Sequence, residues 1–174
     1  MSGLNQDREY VKSRALLVHE ENQRFRKFLL RYSVDETDAL FTQLHRSVAA
    51  AVDCTLCAAC CASLEPELQP SELDKIRARA EKSEVSPLVS VQDSNGQTRH
   101  FLKSPCFFLC ANRCSIYEEK PVACSSYPHL EEPGIRYRLR TVFEQAHLCP
   151  IVFHVLELMK RQTQFITTPY SENS

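Results

Sequence analysis

Glycine and net charge are both scarce in this sequence. Three of its 174 residues are glycine, which leaves no glycine-rich loop of the kind that cradles the phosphates of a nucleotide cofactor. Its 21 basic and 22 acidic side chains nearly cancel, giving a formal charge of −1 and no basic field to attract nucleic acid or an anionic membrane. These two absences argue against a nucleotide-dependent enzyme, and against nucleic acid or membrane as a general partner.

Long apolar runs are also missing. No stretch approaches the ~18 consecutive apolar residues of a membrane span. The start of the chain, MSGLNQDREY, carries charges where a secretory signal has an apolar centre. The sequence shows no internal repeat and no low-complexity linker. Its 43% of hydrophobic residues is typical of one soluble globular domain, which we expect to span residues 1–174 and to be cytoplasmic.

Cysteine, by contrast, is abundant. The sequence has nine cysteines, and four of them lie in the eight residues CTLCAACC that begin at Cys54. A chain of this length buries roughly 70% of its unfolded surface on folding, so its core does not need disulfides. The cytosol also keeps thiols reduced, and we therefore interpret the clustered cysteines as metal ligands. Two thiolates at C-x2-C spacing can meet on one zinc ion or on one iron of a cluster.

A second group of cysteines lies in the proline-rich stretch SPCFFLCANRCSIYEEKPVACSSYP. Its prolines favour an irregular backbone, which lets widely spaced thiolates point inward while amide N–H groups bond the sulfurs. His129 and His147 are alternative ligands that we do not favour, since the thiols suffice. The candidate metal ligands are Cys54, Cys57, Cys60, Cys61, Cys106, Cys114, Cys124 and Cys149.

Hydrophobic periodicity predicts an α+β, mainly helical fold. Apolar residues at helical spacing indicate one amphipathic helix over residues 11–32 and a second from a capping box at Ser33 and Glu36 to the first cysteines. We expect these two helices to form a hairpin over residues 1–53. The hairpin would pack on a small cysteine-rich region, residues 54–158, and residues 159–174 would hold the end of the last helix and a frayed tail from Thr167.

Shorter elements are expected within the cysteine-rich region. Ser71 and Asp74 suit the start of a third helix, and Pro150 suits the start of the last one. Two short apolar runs flank the turn sequence DSNG, which predicts an antiparallel β-hairpin. Residues 135–143 alternate partly between apolar and polar and could add a third strand, so the sheet is expected to be either a β-hairpin or three-stranded.

The cysteine pattern resembles the CxxCxxCC cysteine-cluster family, which is described as zinc- or iron-chelating. Cys54, Cys57, Cys60 and Cys61 match the motif without a gap. The resemblance extends from Cys54 to about residue 158 and leaves the N-terminal helices outside it. The positions that resemble the family's second block and closing segment are Pro105, Cys106, Phe108, Leu109, Cys114, Ser115, Ile116, Tyr117, Pro121, Cys124, Cys149, Pro150, Ile151 and Val152.

Three positions depart from the family pattern. Lys120 and Ser125 stand where the family usually has arginine, so a role of those arginines in gripping an anion does not carry over. Cys110 is an addition, which we interpret as a spare thiol rather than a ninth ligand.

The resemblance implies a metal centre. We favour a 4Fe–4S cluster, because three evenly spaced cysteines in one loop are the ferredoxin arrangement. Relatives of the family also include a flagellin lysine methylase, for which cluster-dependent methyl transfer is implied. Zinc in all-cysteine sites is the alternative. We expect sulfurs from both cysteine groups, joined by Cys149, to share one pocket beneath the helical hairpin.

Three classes of function stay open. The first, which we favour, is a metal-binding protein whose centre serves electron transfer, sensing or iron handling. The second is a cluster-dependent transferase that resembles protein lysine methylases. The third is a zinc-stapled interaction module whose helical hairpin holds a protein partner. Whether the protein is an enzyme is left undecided by the sequence.

Overall fold

The computed structural model describes residues 4–81 and 84–165, and 57% of it is helical. It contains an antiparallel sheet of three strands and another of two strands. The expected α+β, mainly helical fold class is therefore confirmed. The chain divides into two compact units, the helical unit up to Asp53 and from Pro128 onward, and the cysteine unit Cys54–Tyr127. The units are described separately, and the single domain stays a prediction.

The helices and strands are short. In the described residues the α-helices are α1 (Arg8–Leu17), α2 (His19–Leu29), α3 (Val34–Ala49), α4 (Cys54–Cys57), α5 (Ala59–Ser63), α6 (Leu73–Ala80), α7 (Val122–Ser126), α8 (Leu139–Glu144) and α9 (Pro150–Gln162). The β-strands are β1 (Glu67–Leu68), β2 (Leu88–Gln92), β3 (Thr98–Leu102), β4 (Leu109–Cys110) and β5 (Arg113–Cys114). Short 3-10 helices cover Pro70–Glu72, Tyr117–Glu119, Ile135–Arg138 and Gln145–His147.

The N-terminal segment expected as one helix forms two. The Asp7 carboxylate caps α1 by accepting a hydrogen bond from the Tyr10 N–H at 2.8 Å. The backbone then leaves helical geometry at Val18, with φ −97° and ψ 14°, and α2 begins at His19. No glycine or proline lies at this break. The hydrophobic periodicity continues through it, which is why the sequence did not reveal it.

Helix α3 begins where the capping box predicts. The Glu36 N–H donates to Ser33 Oγ at 3.2 Å, and the Ser33 N–H donates to the Glu36 carboxylate at 2.7 Å, so the capping box is confirmed. These hydrogen bonds, with that from the Ser33 backbone first, hold the pKa of the Glu36 carboxyl below its usual value. Helix α3 packs against α9, which begins at Pro150 as predicted.

Residues 135–143 are helical, so the prediction of a strand there is wrong. The Asp38 carboxylate accepts hydrogen bonds from the N–H groups of Gly134 at 2.7 Å and Ile135 at 2.9 Å, and so caps the start of this segment. Ile135 and Leu139 are both buried, as expected for two residues on one helical face. The partial alternation of apolar and polar residues suggested a strand. The helical start could not be recognised locally, because the capping carboxylate belongs to Asp38, which is distant in the sequence.

Aromatic side chains dominate the interior of the helical unit. Phe25 of α2 is fully buried. The centroid of its ring lies 6.0 Å from those of Phe28 and Phe143 and 4.9 Å from that of Phe165. These separations are typical of packed aromatic pairs. They join α2 to α8 and to the chain beyond α9.

The predicted β-hairpin is confirmed in the cysteine unit. Strands β2 and β3 pair antiparallel over their full lengths. The Asp93 carboxylate accepts hydrogen bonds from the N–H groups of Asn95 and Gln97, both at 2.9 Å, and Gly96 takes the positive φ of 78° that the turn needs. The third strand of the sheet is Glu67–Leu68, which pairs with β3.

Helix α6 follows a different start from the one expected. Ser71 lies inside a 3-10 helix, and the reciprocal cap is made by Gln69 and Glu72. Helix α6 itself begins at Leu73. Its buried face contributes to a small core, with Cys106, Ile116 and Cys124 packed at its edge. The buried residues of that core are Leu68, Ile76, Ala80, Leu102 and Phe108.

Two further expectations concern the chain as a whole. The predicted frayed tail from Thr167 lies outside the described residues. Within residues 4–81 and 84–165, no single helix is long and apolar enough to cross a membrane, and two helix pairs reach that length and composition only when joined across a break.

Candidate metal centre

The first cysteine motif is helical rather than an extended loop. Cys54 and Cys57 begin and end α4, and Cys60 and Cys61 lie in α5. Ala58 separates the two helices with φ 46° and ψ 19°, in the left-handed region that residues with a Cβ rarely adopt. Ala58 changes the direction of the chain within the motif, so the two halves of the motif lie in separate short helices.

The second cysteine group begins against the end of the first. The Cys106 N–H donates to the Cys61 carbonyl oxygen at 2.8 Å, and the Ser104 hydroxyl donates to the Ala62 carbonyl oxygen at 3.0 Å. Helix α4 also contacts β5, the strand that ends at Cys114. Segments about 45 residues apart in the sequence are thus brought side by side by backbone contacts.

The thiols of Cys61 and Cys114 interact electrostatically with those of Cys106 and Cys124, and the last two also interact with each other. We call these four cysteines the four-thiol group. Burial, and after it the neighbouring thiols of Cys106, Cys61 and Cys114, together raise the pKa of the Cys124 thiol to about 12. The positive charge of Lys120 acts in the opposite direction. The four-thiol group therefore takes one member from the first motif and three from the second group.

The pKa of the Cys106 thiol is likewise subject to opposing effects. Burial raises the pKa of its thiol, and the thiols of Cys61 and Cys114 add to the rise, whereas hydrogen bonding from the Phe108 and Leu109 backbone lowers it. Both Cys106 and Cys124 pack at the edge of the small core. In the absence of metal, this environment favours neutral thiols over a cluster of negative charges.

The four-thiol group fits a soft metal in type and in number of donors. Four thiolates are what an all-cysteine zinc site or a 4Fe–4S cluster requires. Among the residues that the structure describes, however, no three His, Cys, Asp or Glu side chains stand in a geometry that would hold a metal ion. The fold gathers the four thiols without closing them around a metal, and binding would have to draw their sulfurs together.

The remaining five cysteines differ in exposure. In the first motif Cys54 is exposed, Cys57 is buried and Cys60 is intermediate. Cys110 is exposed on β4, and Cys149 is buried in the helical unit just before α9. That Cys54, Cys57, Cys60 and Cys149 are ligands, and that Cys149 shares a pocket with the others, stay predictions.

Several histidines form polar contacts outside the cysteine groups. His129 Nδ1 lies 2.6 Å from the Glu132 carboxylate, and His45 Nδ1 lies 3.0 Å from the Glu131 carboxylate. Hydrogen bonds to Glu131, first from Arg46 and then from His45, keep the pKa of its carboxyl below its usual value. All five of these residues belong to the helical unit. These contacts support structural roles.

Sequence reasoning missed two polar groups near the second cysteine group. Lys120 Nζ lies 3.9 Å from the centroid of the Tyr117 ring, a cation–π contact that the sequence did not indicate. The Glu72 carboxylate accepts a hydrogen bond from the Val122 N–H at 2.7 Å, at the start of the helix that carries Cys124. The spacing of Gln69 and Glu72 is a capping signal, but nothing local indicated a bond to Val122.

The cysteine donor set and a family match together indicate a cysteine-rich metal-binding protein. The family model CxxCxxCC, described as "Putative zinc- or iron-chelating domain", matches residues 53–150. The match covers more than half of the chain, and the protein belongs to this family. No curated protein and no solved structure matches the chain significantly. Family membership supports chelation of zinc or iron by this chain.

Proposed function

We propose that this protein holds an iron–sulfur cluster of the 4Fe–4S type through thiolates from both cysteine groups. The single observation that carries the proposal is the four-thiol group, whose number of thiols equals the number of ligands that such a cluster needs. Cys61, Cys106, Cys114 and Cys124 are its central ligands. The centre then serves electron transfer, sensing or iron handling.

Two features suit an iron–sulfur cluster. Iron–sulfur clusters are tuned by hydrogen bonds to their sulfurs and by nearby charge. Backbone hydrogen bonding from Phe108 and Leu109 reaches Cys106, and Lys120 lies near enough to Cys124 to stabilise its thiolate. A structural zinc site, as in an interaction module, uses the same four thiols and is the second candidate, because the core of the cysteine unit is small.

The location proposed for the protein is the cytoplasm. All nine cysteines are thiols, and reduced thiols persist where glutathione and thioredoxin act. Fractionation of cells that make the full chain tests this location. Recovery of the protein in an oxidising compartment would contradict it.

The metal is identified by making the protein without oxygen. We expect a brown protein that absorbs broadly near about 400 nm and contains iron together with labile sulfide, as cysteine-held clusters do. The measurement is metal analysis combined with a sulfide assay on the same sample. A colourless protein with stoichiometric zinc would overturn the iron proposal and leave a structural zinc site.

A further inference from the structure

Glu72 connects two helical segments that lie far apart in the sequence. One oxygen of its carboxylate accepts a hydrogen bond from the Gln69 N–H at 2.8 Å, just before α6. The other accepts a hydrogen bond from the Val122 N–H at 2.7 Å. Val122 is the first residue of α7, the helix that carries Cys124. One carboxylate thus ties the start of α6 to the start of the helix that bears a candidate ligand.

A second polar contact links α6 to the same segment. The Arg79 guanidinium, near the end of α6, pairs with the Glu119 carboxylate. Glu119 ends the 3-10 helix that precedes α7. Ile76 and Cys124 also belong to one apolar cluster, in which Ile76 is buried. Polar contacts at both ends of α6 therefore hold the segment that carries Cys124, and the buried side chain of Ile76 lies between them in the helix.

The bond from Glu72 has a direct geometric consequence for Cys124. An N–H at the start of a helix has no partner within that helix, and a carboxylate is the acceptor that satisfies it best. Cys124 lies two residues beyond Val122, on a helix of a single turn. Within this helix the Cys124 N–H donates to the Pro121 carbonyl oxygen at 2.9 Å. This bond fixes Cys124 relative to the start of the helix, so the contact that Glu72 makes at Val122 places the start of the helix and the Cys124 backbone together.

We propose that Glu72 is a positioning residue for the metal centre, which orients α7 so that the Cys124 sulfur faces the rest of the four-thiol group. The inference rests on the proposed function, because only bound metal makes the direction of that sulfur matter. Partners that orient metal ligands typically contribute about 10–100-fold to metal affinity. Glu72 acts through the backbone of α7.

The test compares Glu72→Ala and Glu72→Gln with Glu67→Ala. The control removes the pairing of Glu67 with Arg99, an exposed ion pair of the same unit on the three-stranded sheet. Each protein is purified with its metal and mixed with excess of a chelator that reports released iron or zinc by colour. The rate is measured well below the unfolding temperature of all variants, and the thermal midpoint of each metal-free protein is recorded.

We expect Glu72→Ala to release metal about 10-fold faster than the unaltered protein. Glu72→Gln keeps an oxygen acceptor and should fall in between, whereas Glu67→Ala should match the unaltered protein. A merely structural role would lower the thermal midpoint without selective metal release. Release from Glu72→Ala at the unaltered rate, or equally fast release from Glu67→Ala, would overturn the inference. If Glu72→Ala does not fold, the rate for Glu72→Gln decides alone.

Cys124→Ser separates this inference from the proposed function. If Cys124→Ser keeps its full metal content, Cys124 is not a ligand and the proposed ligand set fails. If Cys124→Ser loses metal while the Glu72 variants release it at the unaltered rate, the ligand set stands and only the positioning role of Glu72 fails. Faster release in the Glu72 variants together with metal loss in Cys124→Ser supports both.

Discussion

In the helical unit large apolar side chains are buried, whereas the cysteine unit buries few of them and gathers thiols instead. Of the twelve largest fully buried side chains among the described residues, Leu102 is the one that lies in the cysteine unit. Each such side chain contributes roughly 1.5–3 kcal/mol through burial. The helical unit therefore has the core that stability requires, and we infer that the cysteine unit depends on its metal.

Removal of the metal should produce the largest difference between the two units. Binding free energy at a structural metal site is also folding free energy, and reaches about 10–16 kcal/mol in small zinc domains. We expect chelation to raise amide hydrogen exchange throughout the cysteine unit while α3 and α9 stay protected. Exchange measured by mass spectrometry with and without metal checks this. An equal rise in both units would contradict the comparison.

Within the cysteine unit, two cysteines of one β-hairpin should respond differently to the same substitution. Cys114→Ser should remove metal and solubility together, because it deletes a member of the four-thiol group. Cys110→Ser should be nearly silent, since Cys110 is exposed on the partner strand. Metal content and soluble yield of the two variants are the measurements. Metal loss from Cys110→Ser would show that the second cysteine group was wrongly aligned with its family.

Phe25→Ala should destabilise the helical unit and leave the metal of the cysteine unit in place. Deleting a buried phenylalanine side chain typically costs about 3–5 kcal/mol, and Phe25 contacts three other aromatic rings. We expect a lower free energy of unfolding for the helical unit and an unchanged metal content. Denaturant titration followed by metal analysis of the folded fraction checks both. Loss of metal in this variant would show that the units are not independent in stability.

The contrast between local and distant contacts also explains what the sequence could predict. The capping box at Ser33 and the turn at Asp93 are made by residues within four positions of each other, and both were found from sequence. The helical start at Ile135 depends on Asp38, 97 residues away, and it was missed. Partners supplied by the folded chain could not be found from the sequence, and among the local signals the cap made by Gln69 and Glu72 was overlooked.

The candidate site follows the same rule. Cysteine spacing predicted metal ligands, and even spacing favoured three ligands from the first motif. How many ligands the first motif supplies stays a prediction. The structure adds two features of the site: the Cys106 N–H joins Cys61 to the second group, and left-handed Ala58 divides the motif. Neither feature could be predicted from the sequence. Alanine gives no indication that its φ will be positive, and the hydrogen bond between Cys61 and Cys106 joins backbone atoms, so it does not depend on residue type.

A change of one pH unit near neutral pH should have the smallest effect on the stability of the metal-free cysteine unit, whereas it should act in the opposite direction, and more strongly, on metal binding. Burial raises the pKa of the Cys124 thiol from the ordinary 9.0 to about 12. A raised thiol pKa favours the neutral form in the fold. Its contribution to the stability of the metal-free unit is therefore present below about pH 9 and is lost as the pH rises toward 12.

Metal binding has the opposite sign, because each ligand must lose its proton before it binds. Between about pH 6.5 and 8.5, affinity should rise by about tenfold per pH unit for each thiol that releases a proton on binding. Competition with a chelator at fixed metal concentration measures the slope, after correction for the chelator's own protonation. The slope should be unchanged in Cys110→Ser, which stands outside the four-thiol group. An affinity that does not change over this range would mean that thiols of the cysteine unit do not bind the metal as thiolates.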